Sequence, residues 1–351
     1  MILNHKQKIL IIQTAFLGDT ILSLPLVQSL KNIIPECEID YLCIPSTANV
    51  LENNPNIHEI IRYNKKGRKK IRNLIKMISF IKERNYDIIV CPHRSLRSAL
   101  ITYFSKARIR IGFNKNVMSF LLTGKAKYLK NEHEIKRNLE LIKLIPGIEI
   151  NDKMFSLKPE LFPSADDKNN ADELLNKFIT DKDRMICFAP CSKWFTKNLP
   201  EKISIDILNS LNEKGFNVAL LGGIEDEKFC RLIEGKAKDK NKVFCLAGNL
   251  TPLQSSYVIQ RSCALITVDS AAAHIGASTN KPIVMIFGST VPAFGFYPLT
   301  SKNIIIENNN LDCRPCTDHG RGSCPKKHFK CMIDLKTTDI INAVDKLLYS
   351  N

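Results

Sequence analysis

Three loops in this chain combine reactive side chains with positions just beyond an apolar run. The first is Thr14-Ala15-Phe16-Leu17-Gly18-Asp19-Thr20, which follows Ile9–Gln13. Gly18 permits close backbone approach, and a carboxylate at Asp19 can either cap a helix or take a proton as a general base. The second runs from Pro190 to Pro200 and holds Ser192, Lys193, Thr196, Lys197 and the single tryptophan, Trp194. Lysine ammonium, hydroxyls and a following helix N-terminus together suit a diphosphate; the competing reading is a surface loop whose tryptophan plugs an apolar gap. The third is Asp269-Ser270-Ala271-Ala272-Ala273-His274. Its small side chains let a phosphate approach the first-turn N–H groups of a helix, and His274 reads as a hydrogen-bonded structural residue. Ile286-Phe287-Gly288-Ser289-Thr290 is a further strand-to-turn segment of the same kind. No G-x-G-x-x-G and no P-loop follows a strand, so a classical dinucleotide or triphosphate site has no support. Nor does a D-x-D carboxylate pair, a common metal-binding pattern, stand at a strand end.

Twelve cysteines are many for a reducing compartment. Eight are scattered, mostly in apolar strands, where a thiol serves as a small hydrophobe. Four cluster as Cys313-x2-Cys316-x7-Cys324-x6-Cys331, with His319 and His328 nearby. That spacing leaves three readings open: a structural zinc site, a redox-labile set of thiols, or a packed reduced loop. Disulfides are not expected in cytoplasm.

The elements that must position these residues follow from length and pattern. The chain has 351 residues, 44% hydrophobic and 25% charged, an ordinary globular composition for about two domains. It excludes a disordered chain, a fibrous repeat and a small disulfide scaffold. No apolar run approaches the roughly 18 residues of a membrane span, and the N-terminus lacks a signal-peptide pattern, so a soluble cytoplasmic protein is expected. Apolar strand runs are expected at Ile9–Gln13, Ile39–Ile44, Tyr86–Cys91 and Arg108–Gly112, with helices over Asp19–Ile34 and Ile71–Glu83 between them. Pro146, Gly147, Pro159 and Pro163 punctuate a weaker stretch where the interdomain connection is expected. A second alternating series then runs from Met185–Ala189 to Ile283–Phe287. The expectation is an α/β protein of two Rossmann-like halves, with ligands at the carboxyl ends of parallel strands and a cleft between the halves.

Charge is uneven. Residues 1–150 carry 25 Lys/Arg against 12 Asp/Glu, and the rest carry 26 against 23. The first half is therefore expected to meet an anionic partner: nucleic acid, anionic lipid or a phosphorylated glycolipid. The densest stretch, Arg62 to Lys76, reads equally well as a solvated face.

As an ordered set, FLGDT, CSKWFTKNLP, LLGGIEDE, LAGNLT, VDSAAAHIGAS and IFGST resemble glycosyltransferase family 9, the ADP-heptose:lipopolysaccharide heptosyltransferases. The resemblance runs from Lys8 to about Leu335 and leans toward the heptosyltransferase II type. It departs where family members often carry tryptophan before the proline of the lysine block and this chain has Leu199. It implies a GT-B fold with an acceptor-binding domain over 1–165, a nucleotide-sugar domain over 166–335, and a C-terminal helix within 336–351 returning toward the first. It implies inverting transfer from ADP-heptose without a required cofactor. Asp19 would be the general base and Lys197 would stabilise the leaving diphosphate, together with Ser192, Thr196 and the Ser270-Ala271-Ala272 turn. Asp269 would touch the sugar or phosphates, Glu227 the ribose, and Leu250 the adenine. The partners implied are a phosphorylated lipid A or inner-core acceptor and an anionic membrane surface, with the enzyme peripheral on the cytoplasmic face of the inner membrane and no nucleic acid. His93, Arg94 and Arg97, at a strand end of the first half, are candidates for acceptor contacts. The alternatives are a relative moving another nucleotide-linked sugar, or a basic nucleic-acid-binding protein with a zinc tail.

Overall fold

The structure is a computed structural model, which describes residues 6–67, 70–179 and 184–349. Arg68 and Lys69 of the basic stretch, and Asp183 at the end of the expected connection, lie outside the described residues. The chain forms two compact units, Met1–Phe162 and Pro163–Asn351.

Each unit is built on a six-stranded parallel sheet. In the first, the strands are β1 (Lys8–Ile12), β2 (Glu38–Cys43), β3 (Glu59–Arg62), β4 (Ile88–Cys91), β5 (Ile109–Phe113) and β6 (Gly124–Ala126), in the order β3-β2-β1-β4-β5-β6. Its helices are α1 (Leu17–Leu22), α2 (Leu24–Ile33), α3 (Lys70–Glu83), α4 (Leu96–Phe104) and α5 (Glu134–Leu139). Burial explains the apolar runs: Ile9, Leu10, Ile11 and Ile12 are all inaccessible, because helices cover both faces of a parallel sheet. Leu10 and Ile12 meet Leu42, Ile89 and Ile81, with Leu74, Met77, Ile78 and Phe80 of α3 packed on them.

The helix expected over Asp19–Ile34 is broken in two at Ser23. The Ser23 N–H bonds Asp19 O, and its hydroxyl donates to Thr20 O at 2.8 Å. Pro25 then sits in the first turn of α2, where its missing N–H costs no hydrogen bond.

The second unit repeats the plan. It holds β7 (Met185–Ala189), β8 (Asn217–Leu220), β9 (Val243–Cys245), β10 (Ala264–Val268), β11 (Ile283–Phe287) and β12 (Asn303–Glu307), ordered β12-β11-β10-β7-β8-β9. Around them lie α6 (Ala165–Leu175), α7 (Glu201–Glu213), α8 (Glu227–Lys236), α9 (Pro252–Arg261), α10 (Ala271–Ala277), α11 (Lys330–Ile333) and α12 (Thr337–Tyr349). Counted from the first strand of each unit, both orders are the 3-2-1-4-5-6 arrangement of a Rossmann sheet. The last helix, α12, packs on α7 and alongside β11 and β12, with Ile340, Ile341, Ala343 and Val344 inside the second unit's core. Burying side chains of that size is worth about 1.5–3 kcal/mol for each of the larger ones, which fixes the helix there.

Gly276 shows how closely α10 lies on the sheet. A Cβ at that position would come within 2.5 Å of Leu265 Cδ2 and 3.2 Å of Ile283 Cδ1. Gly276→Val is therefore expected to lower the unfolding free energy by about 1–3 kcal/mol in urea titration; an unchanged midpoint would contradict this packing.

Candidate active site

In both units the sequence-selected residues gather where the strand order reverses. Between β1 and β4 the chain leaves the sheet in opposite directions, so the loops after these strands diverge and their backbone is left uncovered. The same happens between β7 and β10.

In the first unit, Asp19 is the third residue of α1 and half-buried. Its Oδ2 accepts the Phe16 N–H at 3.2 Å, so it does cap the turn it sits in. Yet burial pushes its pKa up to about 6, with a further upward push from the Glu134 carboxylate; Phe16's hydrogen bond and the Arg94 charge oppose this only in part. A carboxyl near neutrality is suited to accepting a proton at physiological pH.

Around it stands a group that spacing in the sequence did not reveal. Glu134 is buried and ion-paired to the equally buried Arg137 at 2.6 Å. Arg137 also donates to the carbonyls of Leu129 and Lys130. The Tyr128 hydroxyl donates to Glu134 Oε2 at 3.3 Å, and the guanidinium groups of Arg94 and Arg137 lie 3.9 and 4.6 Å from the Tyr128 ring centroid. Cations at those distances are attracted by the ring's electron-rich faces. The only signal in the sequence is Glu134 three residues before Arg137, a common helical pair that nothing ties to Asp19.

His93 is held otherwise than a free contact residue. Its Nδ1 lies 2.9 Å from both Thr14 Oγ1 and Ser98 Oγ, and 3.2 Å from Ser95 Oγ. Burial, with the Lys65 and Arg94 charges, lowers its pKa to about 4, so the ring is neutral at pH 7. It ties the β4 loop to the β1 loop. Lys65 donates to Thr14 O at 2.5 Å and Arg97 to Lys65 O at 2.9 Å, which joins the loop after β3 to the same edge. Arg94 is exposed and Arg97 half-buried.

In the second unit, Lys197 and Asp269 form an ion pair at 2.6 Å, nearly out of solvent. Asp269 Oδ2 also accepts from the hydroxyl of Thr290 at 2.6 Å, the end of the strand-to-turn segment that the sequence marked without giving Thr290 a role. Three successive loops, after β7, β10 and β11, thus converge on one carboxylate. Thr196, expected among the ligand contacts, is buried: its Oγ1 lies 2.9 Å from Ser289 Oγ and accepts the Arg321 N–H at 2.8 Å. It ties loops together instead of facing solvent. The Ser192 N–H is bonded to Asn198 Oδ1 at 2.7 Å, which closes the loop around Lys197. Ser270 is the N-cap of α10, and Ala271 and Ala272 form its first turn, half-exposed. His274 is buried on that helix. Trp194 lies against Gly320, whose added Cβ would be 2.5 Å from the tryptophan Cβ, so the indole seals the tail onto the loop.

Further along the same edge, Glu227 opens α8 and Leu250 follows β9. Gly248 joins them. Its φ of +79° is left-handed backbone, its N–H bonds Gly222 O, and the place of its absent Cβ lies 3.5 Å from Glu227 Oε2.

The tail cysteines Cys313, Cys316, Cys324 and Cys331 line one small cavity with His328. No three of these five bring their ligand atoms within 4.8 Å of one another; among the described residues only Glu38, Asp40 and His58 do so. Cys316 Sγ is directed to Ser289 O and Cys313 Sγ to His328 Nε2, both at 3.9 Å. A zinc set would need its four donors about 3.8 Å apart around one centre. The arrangement fits a packed, reduced loop. At the acidic trio, Lys6 and Tyr86 already bond Glu38 and Asp40.

Residues 74–326 match the model of glycosyltransferase family 9 (heptosyltransferase). The chain belongs to that family. It is 25% identical over 344 residues to lipopolysaccharide heptosyltransferase 3 of Escherichia coli, covering 96% of this chain and 98% of that one. In structure it is similar to a family 9 glycosyltransferase from Veillonella parvula, with a TM-score of 0.86 at 21% identity and 98% of each chain covered. It is also similar to ADP-heptose lps heptosyltransferase II of E. coli, with a TM-score of 0.79 at 22% identity, covering 97% of this chain and 98% of that one. The family member is thus a glycosyltransferase with a GT-B fold of two Rossmann-like domains.

The sign of the Asp19 shift makes a prediction about stability. Its folded pKa, about 6, exceeds the 3.8 of an unperturbed aspartate, so the native state holds the proton more tightly than the unfolded chain. The ionised group therefore destabilises the fold above about pH 6 and has no effect below about pH 4. Asp19→Asn is expected to raise stability at pH 8, by up to about 2 kcal/mol, and to lose that advantage at pH 4. Thermal melts across that range test it; a variant weaker than wild type at pH 8 would remove the buried-charge reading.

Proposed function

We propose that this glycosyltransferase is a heptosyltransferase that moves heptose from ADP-heptose to the phosphorylated inner core of lipopolysaccharide, with inversion at the anomeric carbon and without a metal. The reading leans to the second heptosyltransferase of that core and to an enzyme working at the cytoplasmic face of the inner membrane. The observation that carries it is the Asp19 carboxyl, held near neutrality at the switch point of a strongly basic unit.

In this mechanism the acceptor hydroxyl approaches Asp19, which takes its proton as the new glycosidic bond forms. Glu134 helps keep Asp19 basic by like-charge repulsion, and the Glu134–Arg137 pair holds that charge in place. Arg94 and Arg97, with Lys65 beside them, offer cations to the anionic groups of an acceptor. His93 positions this edge through Thr14 and Ser98.

On the donor side, breaking the anomeric C–O bond leaves a full negative charge on ADP. Lys197 is held by its ion pair with Asp269, the residue before the Ser270 turn, and stabilising the leaving diphosphate is its role. A diphosphate arriving at Lys197 competes with Asp269, which keeps its bond from Thr290 and is freed to accept a sugar hydroxyl. Glu227 accepts from the ribose, and the Gly248–Leu250 turn receives the adenine.

With purified protein, ADP-heptose and a lipid A-type acceptor, Asp19→Ala is expected to lower kcat by about 10²–10⁴ while ADP binding stays within a factor of about two. In wild type, kcat/KM should fall as pH drops through about 6, because protonated Asp19 cannot accept a proton. Equal turnover in the variant, or an acid limb that survives it, would take Asp19 out of the base role. Lys197→Ala should reduce kcat/KM for the donor by about 10²–10³; unchanged donor kinetics would place the diphosphate elsewhere.

A further inference from the structure

Between Tyr63 and Lys130 the chain carries eighteen Lys/Arg and two Asp/Glu, which alone equals its whole formal net charge of +16. The same segment exposes large apolar side chains. Ile71 and Ile75 of α3 are 68% and 63% exposed, and Val117 and Phe120 are 75% and 71% exposed. Leu96 and Phe104 of α4 are about half exposed. α3 packs on α4, and α4 on the short turn Ser119–Leu121, which Val117 precedes by two residues, so these side chains lie on or next to three elements of the first unit that pack in series.

α3 buries Ile81 and packs Leu74, Met77, Ile78 and Phe80, partly buried, against the same core, so its core side is made without Ile71 and Ile75. Four residues apart, those two stack on its outer side, with Arg72 and Lys76 beside them. Single exposed isoleucines need no explanation, but a run of them across adjoining elements within one sign of charge does.

We propose that this face docks on an anionic lipid bilayer. Ile71, Ile75, Val117 and Phe120 enter the interfacial layer, and the flanking lysines and arginines meet headgroup phosphates. Charge complementarity selects the occupant. A polyanion without an apolar phase would account for the cations and leave the isoleucines and Phe120 in water, whereas a membrane surface satisfies both. No helix among the described residues is long and apolar enough to cross a membrane, so contact of this kind is at the surface. The inference rests on the proposed lipid-borne acceptor for its purpose, but it is tested by binding alone, without donor or acceptor.

The test is co-sedimentation with phosphatidylcholine vesicles, with and without about 30% phosphatidylglycerol, at low and high salt. Wild type should bind the anionic vesicles and release them in salt. Combining Ile71→Ser, Ile75→Ser, Val117→Ser and Phe120→Ser should weaken partitioning at least about tenfold, and Arg72→Glu with Lys76→Glu should do so by a similar factor. Both variants should keep the wild-type melting temperature, because the residues are exposed, and should keep turnover on a detergent-dispersed acceptor. Equal binding to neutral vesicles, or a serine variant that binds like wild type, overturns the proposal. So does a single-stranded oligonucleotide bound more tightly than vesicles and lost only in the charge-reversed variant. Loss of transfer with binding retained would instead overturn the proposed reaction and leave the docking face standing.

Discussion

The divergence of the chain at the centre of each parallel sheet is the constraint on which the rest depends. β1 pairs with both β2 and β4, and β7 with both β8 and β10. Right-handed crossovers then carry the flanking helices to opposite faces. Loops leaving the two central strands part from each other, and no helix covers the gap. Polar side chains at these strand ends meet one another there, Thr14 with His93 in the first unit and Lys197 with Asp269 in the second.

Each gap is then stiffened by polar ties. In the first unit these are neutral hydrogen bonds around His93 and a buried Glu134–Arg137 pair; in the second they are the Lys197–Asp269–Thr290 chain and the Thr196–Ser289 contact. Buried charges cost free energy unless paired and hydrogen-bonded, and here each is. The result is a stiffened edge in each unit: the first holds an unusually basic carboxylate, and the second holds a caged ammonium. Both are poised states: the carboxylate is kept from ionising easily, and the ammonium is kept from wandering.

Much of this was legible before any coordinates. Strands β7 and β11 occupy the residues expected of them, because fully buried parallel strands read as unbroken apolar runs. β3, β6 and β12 escaped notice. They are short or edge strands, partly exposed, and their sequences alternate too little to stand out. The break at Ser23 was hidden because the apolar stripe continues across it, while the backbone there turns to satisfy Ser23 and Tyr41. In the tail the cysteine spacing left three readings open, because sulfur directions are set by the fold of the loop against Ser289 and His328.

The sequence by itself determined the alternation of strands and helices, the duplication of the sheet, the strand-end placement of Asp19, Lys197 and Asp269, and the concentration of charge in the first unit. Those are local properties of residue type and period. Only the tertiary structure decided that the Glu134 and Arg94 charges act on Asp19, that Thr290 shares Asp269 with Lys197, that Thr196 is consumed in a tie, and that α12 packs into the second unit's core. Proton affinity, ion pairing and exposure are set by neighbours distant in sequence, through desolvation and Coulomb forces that act over a few ångströms of space and leave no trace in spacing along the chain.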